Sequence, residues 1–228
     1  MPTNQDIKVA VDAVVFGYDA SEGLSILLIK RDIEPYKDSW ALPGGLVLND
    51  ETIEEAVERE LQEETGVTIN YLEQLYTFGK PGRDPRNRVV SVTYYGLVRP
   101  KGFHLQASTD VNDAQWFLID TLPSLAFDHA KIVEMAIKRL KAKVTYEPIG
   151  VELLEEKFPF SDLEKLYSTL LGRPVDRRNF KKKILKFGFL EETNEKQQLS
   201  GAGRPGNLFK FNRDKYFQLK NEGINFEV

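Results

Sequence analysis

Residues 45–67 read GLVLNDETIEEAVERELQEETGV and satisfy, at every specified position, the pattern G-x5-E-x7-R-E-U-x-E-E-x-G-U, with U aliphatic. The fixed positions are Gly45, Glu51, Arg59, Glu60, Leu61, Glu63, Glu64, Gly66 and Val67. A chance match in a chain of this length has odds on the order of 10⁻⁷ or less. The spacing predicts one helix. Asp50 or Glu51 can start it, and Gly66 can end it in the left-handed conformation that glycine tolerates. Ile53, Val57 and Leu61 recur every four residues with Ala56 beside them, a stripe that faces a core. Glu60, Glu63 and Glu64 fall at i, i+3 and i+4, so their carboxylates are expected to converge on another face. Such a cluster repels itself unless a cation sits within it, and hard oxygen ligands suit Mg²⁺ or Mn²⁺.

The flanking segments read as strands and one helix. Val9–Gly17 (VAVDAVVFG) and Leu24–Ile29 (LSILLI) are rich in β-branched and aliphatic residues. Lys30-Arg31 and the run Trp40-Ala41-Leu42-Pro43-Gly44-Gly45 follow them. Arg88–Arg99 alternates well enough for a further strand, and Ala114–Leu118 for a short one. Phe127-Asp128-His129 opens a helix to about Lys143, with Ile132, Met135, Ala136 and Leu140 on one face.

On the box and the Trp40–Gly45 run, the chain resembles the Nudix superfamily, whose typical members cleave nucleoside diphosphates linked to another moiety. The resemblance implies an α/β/α sandwich around a mixed sheet. It implies that Glu60, Glu63 and Glu64 hold the metal, that a backbone carbonyl at Gly44–Gly45 reaches the same ion, and that Arg59 pairs with Glu51. In a hydrolase those three carboxylates are the catalytic set, and a metal-bound water attacks phosphorus. The chain departs from the richer hydrolase pattern. Leu48 stands where active members often carry Glu, and Asn49-Asp50 where Pro-Gly or similar precedes the box glutamate. Asp110 and Asp113 are candidates for an acidic group outside the box, although a turn role suits both.

About 80 residues remain beyond this pattern, and charge separates them. Residues 1–149 hold 16 Lys/Arg against 23 Asp/Glu, or −7; residues 150–228 hold 15 against 12, or +3. Within 172–215 the count is 12 against 5, which points to a polyanionic partner. Tyr146-Glu147-Pro148 is the expected joint, giving domains 1–146 and 147–228. Ser161-Asp162-Leu163-Glu164 reads as a capping box before the stripe Leu163, Leu166, Tyr167, Leu170, Leu171. Gly172-Arg173-Pro174 breaks the chain. Asp176 caps a second helix with Phe180, Ile184 and Leu185 inward, and Gly188 ends it. Phe189–Thr193 and Leu208–Asn212 read as strands joined by the loop Asn194–Asn207.

This order is that of a winged helix-turn-helix, and an α+β protein overall. The second helix carries Arg177, Arg178, Lys181, Lys182 and Lys183, placed to enter a major groove and neutralise phosphates. Arg204 in the Gly-rich loop is placed to approach the minor groove. Asn179 is expected to be structural or backbone-contacting. With Asp176–Phe180 and the Gly201–Leu208 loop, the chain resembles the Nudix-related transcriptional regulators. That resemblance implies a Nudix-like domain sensing a small molecule, ADP-ribose or a sugar such as L-arabinose, and a winged helix on double-stranded operator DNA.

Two functions stay open on the sequence: a regulator whose Nudix domain is a sensor, and a Mg²⁺-dependent hydrolase with an appended winged helix. A dual role lies between them. Candidate ligand contacts are Arg31 for a phosphate, Tyr36 and Trp40 for stacking, and His129; for Trp40 and His129 packing is the competing role. Arg83, Arg86 and Arg88 lie in the loop GKPGRDPRNR, a solvated loop or a lid. With no cysteine, the chain has neither disulfides nor zinc-thiolate sites. No apolar run reaches transmembrane length and MPTNQDIK lacks a signal pattern, so the cytoplasm is expected. A homodimer is expected because one winged helix gives little specificity alone.

Overall fold

An apolar run without alternation marks a strand buried on both faces. The computed structural model, which describes residues 6–69, 71–99, 111–197, 206–223 and 226, places β1 (Ile7–Asp19) as such a strand. The chain forms two units, Met1–Gly17 with Leu24–Arg139, and Tyr18–Gly23 with Leu140–Val228. In the first, β1 lies between β2 (Gly23–Arg31) and β6 (Arg88–Val98), and it runs parallel to β6. β3 (Trp40–Ala41) and β7 (Val111–Leu118) pair with β2, β4 (Gly44–Leu46) pairs with β1, and β5 (Tyr71–Phe78) lies beyond β6. The sheet is mixed, as the resemblance implied.

One face of this sheet carries Val11, Ala13, Val15, Leu27 and Ile29, packed with Ala56, Val57 and Leu61 of α1 (Ile53–Thr65). The alternate residues Val14, Phe16, Ile26 and Leu28 are equally buried, as are Ile132, Ala136 and Leu140 of α2 (His129–Lys143). The cap of α1 differs from expectation. Thr52, not Asp50 or Glu51, caps it in a reciprocal box with Glu55, while Gly66 ends it at φ 71°. Glu51 is occupied elsewhere, by Arg59 and the Leu48 N–H. Gly44 is required where it stands: its φ is +152° and a Cβ would lie 2.1 Å from the Val11 carbonyl oxygen.

The second unit contains β8 (Lys157–Pro159), α3 (Phe160–Leu171), α4 (Arg177–Phe187), β9 (Leu190–Lys196), β10 (Asn207–Phe211) and α5 (Arg213–Asn221). Its sheet runs β8-β10-β9, all antiparallel neighbours. α3 starts one residue before the expected capping box. Pro159 is its N-cap without a side-chain bond, because β8 delivers the chain directly into the helix. The turn is as read: Gly172 and Gly188 close α3 and α4 in left-handed conformation, and Asp176 caps α4 by accepting the Asn179 N–H at 2.7 Å. Rings fill the core, with Phe180 lying 4.9 Å from Tyr167 and 5.7 Å from Phe160. Gln197 N–H donates to Gly206 O at 2.9 Å at the base of the wing. Arg204 and Asp110 lie outside the described residues. No helix among those described is long and apolar enough to cross a membrane.

Tyr167 is fully buried, and its hydroxyl has no hydrogen-bond partner among the described residues. Stranding a buried hydroxyl costs about 1–3 kcal/mol. Tyr167→Phe is therefore expected to raise the thermal unfolding midpoint, and an unchanged or lower midpoint would contradict this packing.

Candidate functional site

β1, the turn into β4, α1 and the 79–88 loop enclose a cleft in the first unit. Its inner lobe, about 460 Å³, is lined by Asp12, Arg31, Arg83, Arg86, Phe127 and His129 among others. The outer lobe, about 1180 Å³ with its open mouth, shares Arg31, Gly44, Gly45 and Arg86 and adds Arg59, Glu60 and Glu64.

The box carboxylates reach this cleft unequally. Glu60 rests against Gly45, where a Cβ would lie 2.2 Å from its Oε1. Glu64 Oε2 accepts the Gly44 N–H at 2.8 Å. Arg59 donates to both Glu51 oxygens at 2.8 and 2.7 Å, as the resemblance implied. It also donates to Glu60 at 2.8 Å and to Glu63 at 3.2 Å. The Glu63 side chain is 58% exposed and does not line the cleft. Glu60 and Glu64 face the cleft, while Arg59 draws Glu63 along the helix surface at i+4. Among the described residues no three His, Cys, Asp or Glu side chains are grouped as a metal-holding cluster.

Burial pushes Glu64 up to about 8; the Gly44 N–H opposes this, and the neighbouring charges of Glu60 and Asp12 reinforce it. Burial raises Glu60 as well. At neutral pH Glu64 therefore tends to keep its proton.

The wall opposite is a buried ionic network that the sequence reading passed over. Arg83 donates to Asp12 Oδ2 at 3.1 Å and to Asp128 at 2.7 and 3.2 Å, with its side chain 6% exposed. Ser91 donates to Asp12 at 2.6 Å. Burial alone would raise Asp12, but His129, Arg83 and Ser91 hold it well below the usual carboxylate range. His129 Nδ1 accepts the Leu42 N–H at 2.9 Å, so its proton is on Nε2, 3.4 Å from Asp12 Oδ1. Both of its nitrogens are engaged by protein. A lone Asp inside the apolar run VAVDAVVFG was the available signal, since a charge in a doubly buried strand needs a partner.

Arg31 lines both lobes and donates to the carbonyls of Pro35 at 3.0 Å and Ile33 at 3.3 Å. Its guanidinium lies 4.9 Å from the Phe127 ring centroid. Burial lowers its pKa, and repulsion from Arg86 adds to that. Tyr36 packs edge-on to Phe127 at 4.7 Å and bears on the cleft through that ring. Trp40 does not line it: the indole packs on Phe117 at 4.6 Å and its carbonyl accepts the Ala126 N–H. Arg83 is a buried anchor rather than a solvated loop residue. Arg86 pairs with Asp84 at 2.8 Å, and Arg88 donates to the Val89 carbonyl. Asp113 lies in β7 opposite Lys30.

The cations of α4 also differ in their roles. Arg177 donates to Glu164 of α3 at 2.8 Å, and Lys181 lies 5.5 and 5.3 Å from the ring centroids of Phe160 and Phe209. Arg178, Lys182 and Lys183 are exposed along the outer face, with Asn179 beside them.

A Nudix-type sheet and box joined to a winged helix with a basic second helix define the class: a Nudix-fold protein built to engage DNA. The family profile described as the NUDIX domain matches residues 6–136, and that described as the NrtR DNA-binding winged helix domain matches residues 150–211. The ADPR responsive transcriptional repressor NtrR of Acinetobacter baylyi is 32% identical over 90% of this chain and 82% of that protein. The ADP-ribose pyrophosphatase of Methanocaldococcus jannaschii is 42% identical over 55% of this chain and 70% of that one. The crystal structure of Shewanella oneidensis NrtR with a 27mer DNA superposes with a TM-score of 0.80 at 33% identity, covering 92% of this chain and 95% of that one. The NUDIX domain of the same protein, in complex with ADP ribose, gives a TM-score of 0.54 at 38% identity over 58% of this chain and 87% of that one. The chain belongs to the NrtR family of Nudix-related transcriptional regulators.

The raised Glu64 has a measurable consequence. The native state keeps a proton that the unfolded chain releases near its ordinary value of 4.5, so stability falls as pH rises toward about 8. In buffer free of divalent cations, the thermal midpoint is expected to drop between about pH 5 and pH 8. Glu64→Gln should flatten that slope and be the more stable protein at the alkaline end. A slope unaffected by the substitution would contradict the assignment.

Proposed function

We propose that this chain is an operator-binding transcriptional regulator whose affinity for DNA is set by ADP-ribose. Residues 1–146 bind the effector and residues 147–228 bind double-stranded DNA, as a homodimer in the cytoplasm. The observation that carries the reading is the pair Arg31 and Arg86, two cations that both line the cleft where its lobes meet. A diphosphate between them accepts charge-assisted hydrogen bonds from both. An uncharged sugar such as L-arabinose gains no such pairing, which favours ADP-ribose. Phe127, with Tyr36 behind it, offers a ring face to the adenine or ribose. His129 serves by fixing the wall on which the ligand rests. On the DNA side, Arg178, Lys182 and Lys183 take the phosphate and groove contacts, and Arg204 belongs to the wing. Arg177 and Lys181 mainly hold α4 in place.

Hydrolysis is the second reading, and the Glu60–Glu64 pair in the cleft favours it. Nudix hydrolases use divalent cations. Mg²⁺ or Mn²⁺ would be held here by Glu60 and Glu64, with Glu63 joining only on release from Arg59. The ion would supply charge neutralisation for a bound diphosphate.

Fluorescence anisotropy with a duplex selected by the wild-type protein from a random-sequence pool tests the first reading. ADP-ribose should shift the affinity for that duplex and L-arabinose should not; no shift with ADP-ribose removes the reading. Arg86→Ala should abolish the shift and leave DNA binding intact. Lys182→Ala should weaken DNA binding and reduce the slope of log affinity against log salt by about 1. An unaltered slope would remove Lys182 from the DNA face.

A further inference from the structure

The second unit takes in a segment that continues a strand of the first. Tyr18–Gly23, the turn between β1 and β2, groups with Leu140–Val228 and not with the sheet on either side of it. The turn is closed by Asp19, which accepts the Ser21 N–H at 2.8 Å and the Ser21 hydroxyl. Gly23 completes it at φ 112°. Tyr18 is 6% exposed and lies beside Thr169 of α3 at one groove. Ser21 and Glu22 share a shallow groove with Glu164, Lys165 and Ser168.

Those α3 residues hold the helix-turn-helix together. The Ser168 hydroxyl accepts the Val175 N–H at 3.3 Å, across the turn between α3 and α4, and donates to the Glu164 carbonyl at 2.8 Å. The Glu164 carboxylate accepts from Arg177 in the first turn of α4. At the other end of β1, Asp12 is bound by Arg83, Ser91 and His129 in the cleft wall. Between these ends β1 is in unbroken register with β6 from Ile7 to Gly17. At strand geometry the six residues from Asp12 to Tyr18 span about 20 Å.

We propose that the β1–β2 turn carries effector occupancy from the cleft to the helix-turn-helix, with Tyr18 and Thr169 as the positioning residues. The proposal rests on the reading of the cleft as an effector site and of α4 as the DNA-facing helix. A ligand seated against the Asp12–Arg83 wall bears on β1, whose far end sets α3 at the residues that fix the α3–α4 turn. Such a ligand changes DNA affinity only by preferring one arrangement of that turn. The positions that transmit the preference touch neither ligand.

The test uses the full chain and two kinds of variant. Tyr18→Phe and Thr169→Val remove hydroxyls from the contact. Replacing exposed Ala20, Ser21 and Glu22 by glycine loosens the turn without touching a core. Three quantities are measured for each: affinity for ADP-ribose, affinity for the selected duplex alone, and affinity for that duplex at saturating ADP-ribose. Coupling of this kind is typically worth about 5- to 150-fold. In the variants it is expected to shrink to within about twofold, with the two single-ligand affinities held within about twofold of wild type. A full wild-type response in every variant overturns the inference while leaving the effector reading intact. Loss of duplex binding without ADP-ribose also overturns it, since the turn would then serve only the DNA-binding fold. A wild type that binds the duplex but ignores ADP-ribose overturns the effector reading, and this inference with it.

Discussion

Asp12 sits in the middle of the otherwise apolar run Val9–Gly17, and its charge is kept there by partners from three other parts of the chain. Arg83 brings the 79–88 loop, Ser91 brings β6, and His129 brings the start of α2 and, through the Leu42 N–H, the turn before β4. A buried carboxylate without these partners is strongly unfavourable, whereas with them it fixes a unique arrangement. The cleft depends on that arrangement. Arg86 and Asp84 ride on the loop that Arg83 anchors, Phe127 precedes the helix start that Asp128 and His129 anchor, and Gly44 and Gly45 follow the turn that His129 holds. The cleft is thereby preorganised by a buried network that forms one of its walls.

The opposite wall is built from the same residue types to a different end. The box helix presents Glu60 and Glu64 to the cleft, and Arg59 pairs with Glu51, Glu60 and Glu63 from within the protein. Arg31 and Arg86 face the cleft where the lobes meet, with Asp84 paired to Arg86. The second unit divides its cations similarly, with Arg177 and Lys181 spent on holding α4 and the outer face left to Arg178, Lys182 and Lys183.

Much of this was legible in the sequence, because period and punctuation carry it. The α1 stripe, the doubly buried β1 and β2, the Gly172 and Gly188 stops and the Asp176 cap all follow from local residue patterns. The elements that escaped have little pattern to read. β5 is an edge strand that buries only Leu75, and β8 is three residues long. The ionic wall escaped for a different reason: Arg83 is 71 positions from Asp12, and nothing local links a Pro/Gly-rich loop to a central strand. Counts of charge likewise located the basic helix α4 without separating Arg177, tied to Glu164, from Lys182, which is exposed. Spacing put three box carboxylates on one helix face, but only the tertiary position of Arg59 decides which of them enter the cleft.

The most direct test of the account is calorimetric titration of the full chain with ADP-ribose and with L-arabinose in the presence of Mg²⁺, with product assayed by chromatography in the same samples. The account predicts saturable binding of ADP-ribose, none of L-arabinose, and intact ADP-ribose recovered at the end. Rapid release of AMP from ADP-ribose would contradict it and make the cleft catalytic, with the winged helix as its appendage.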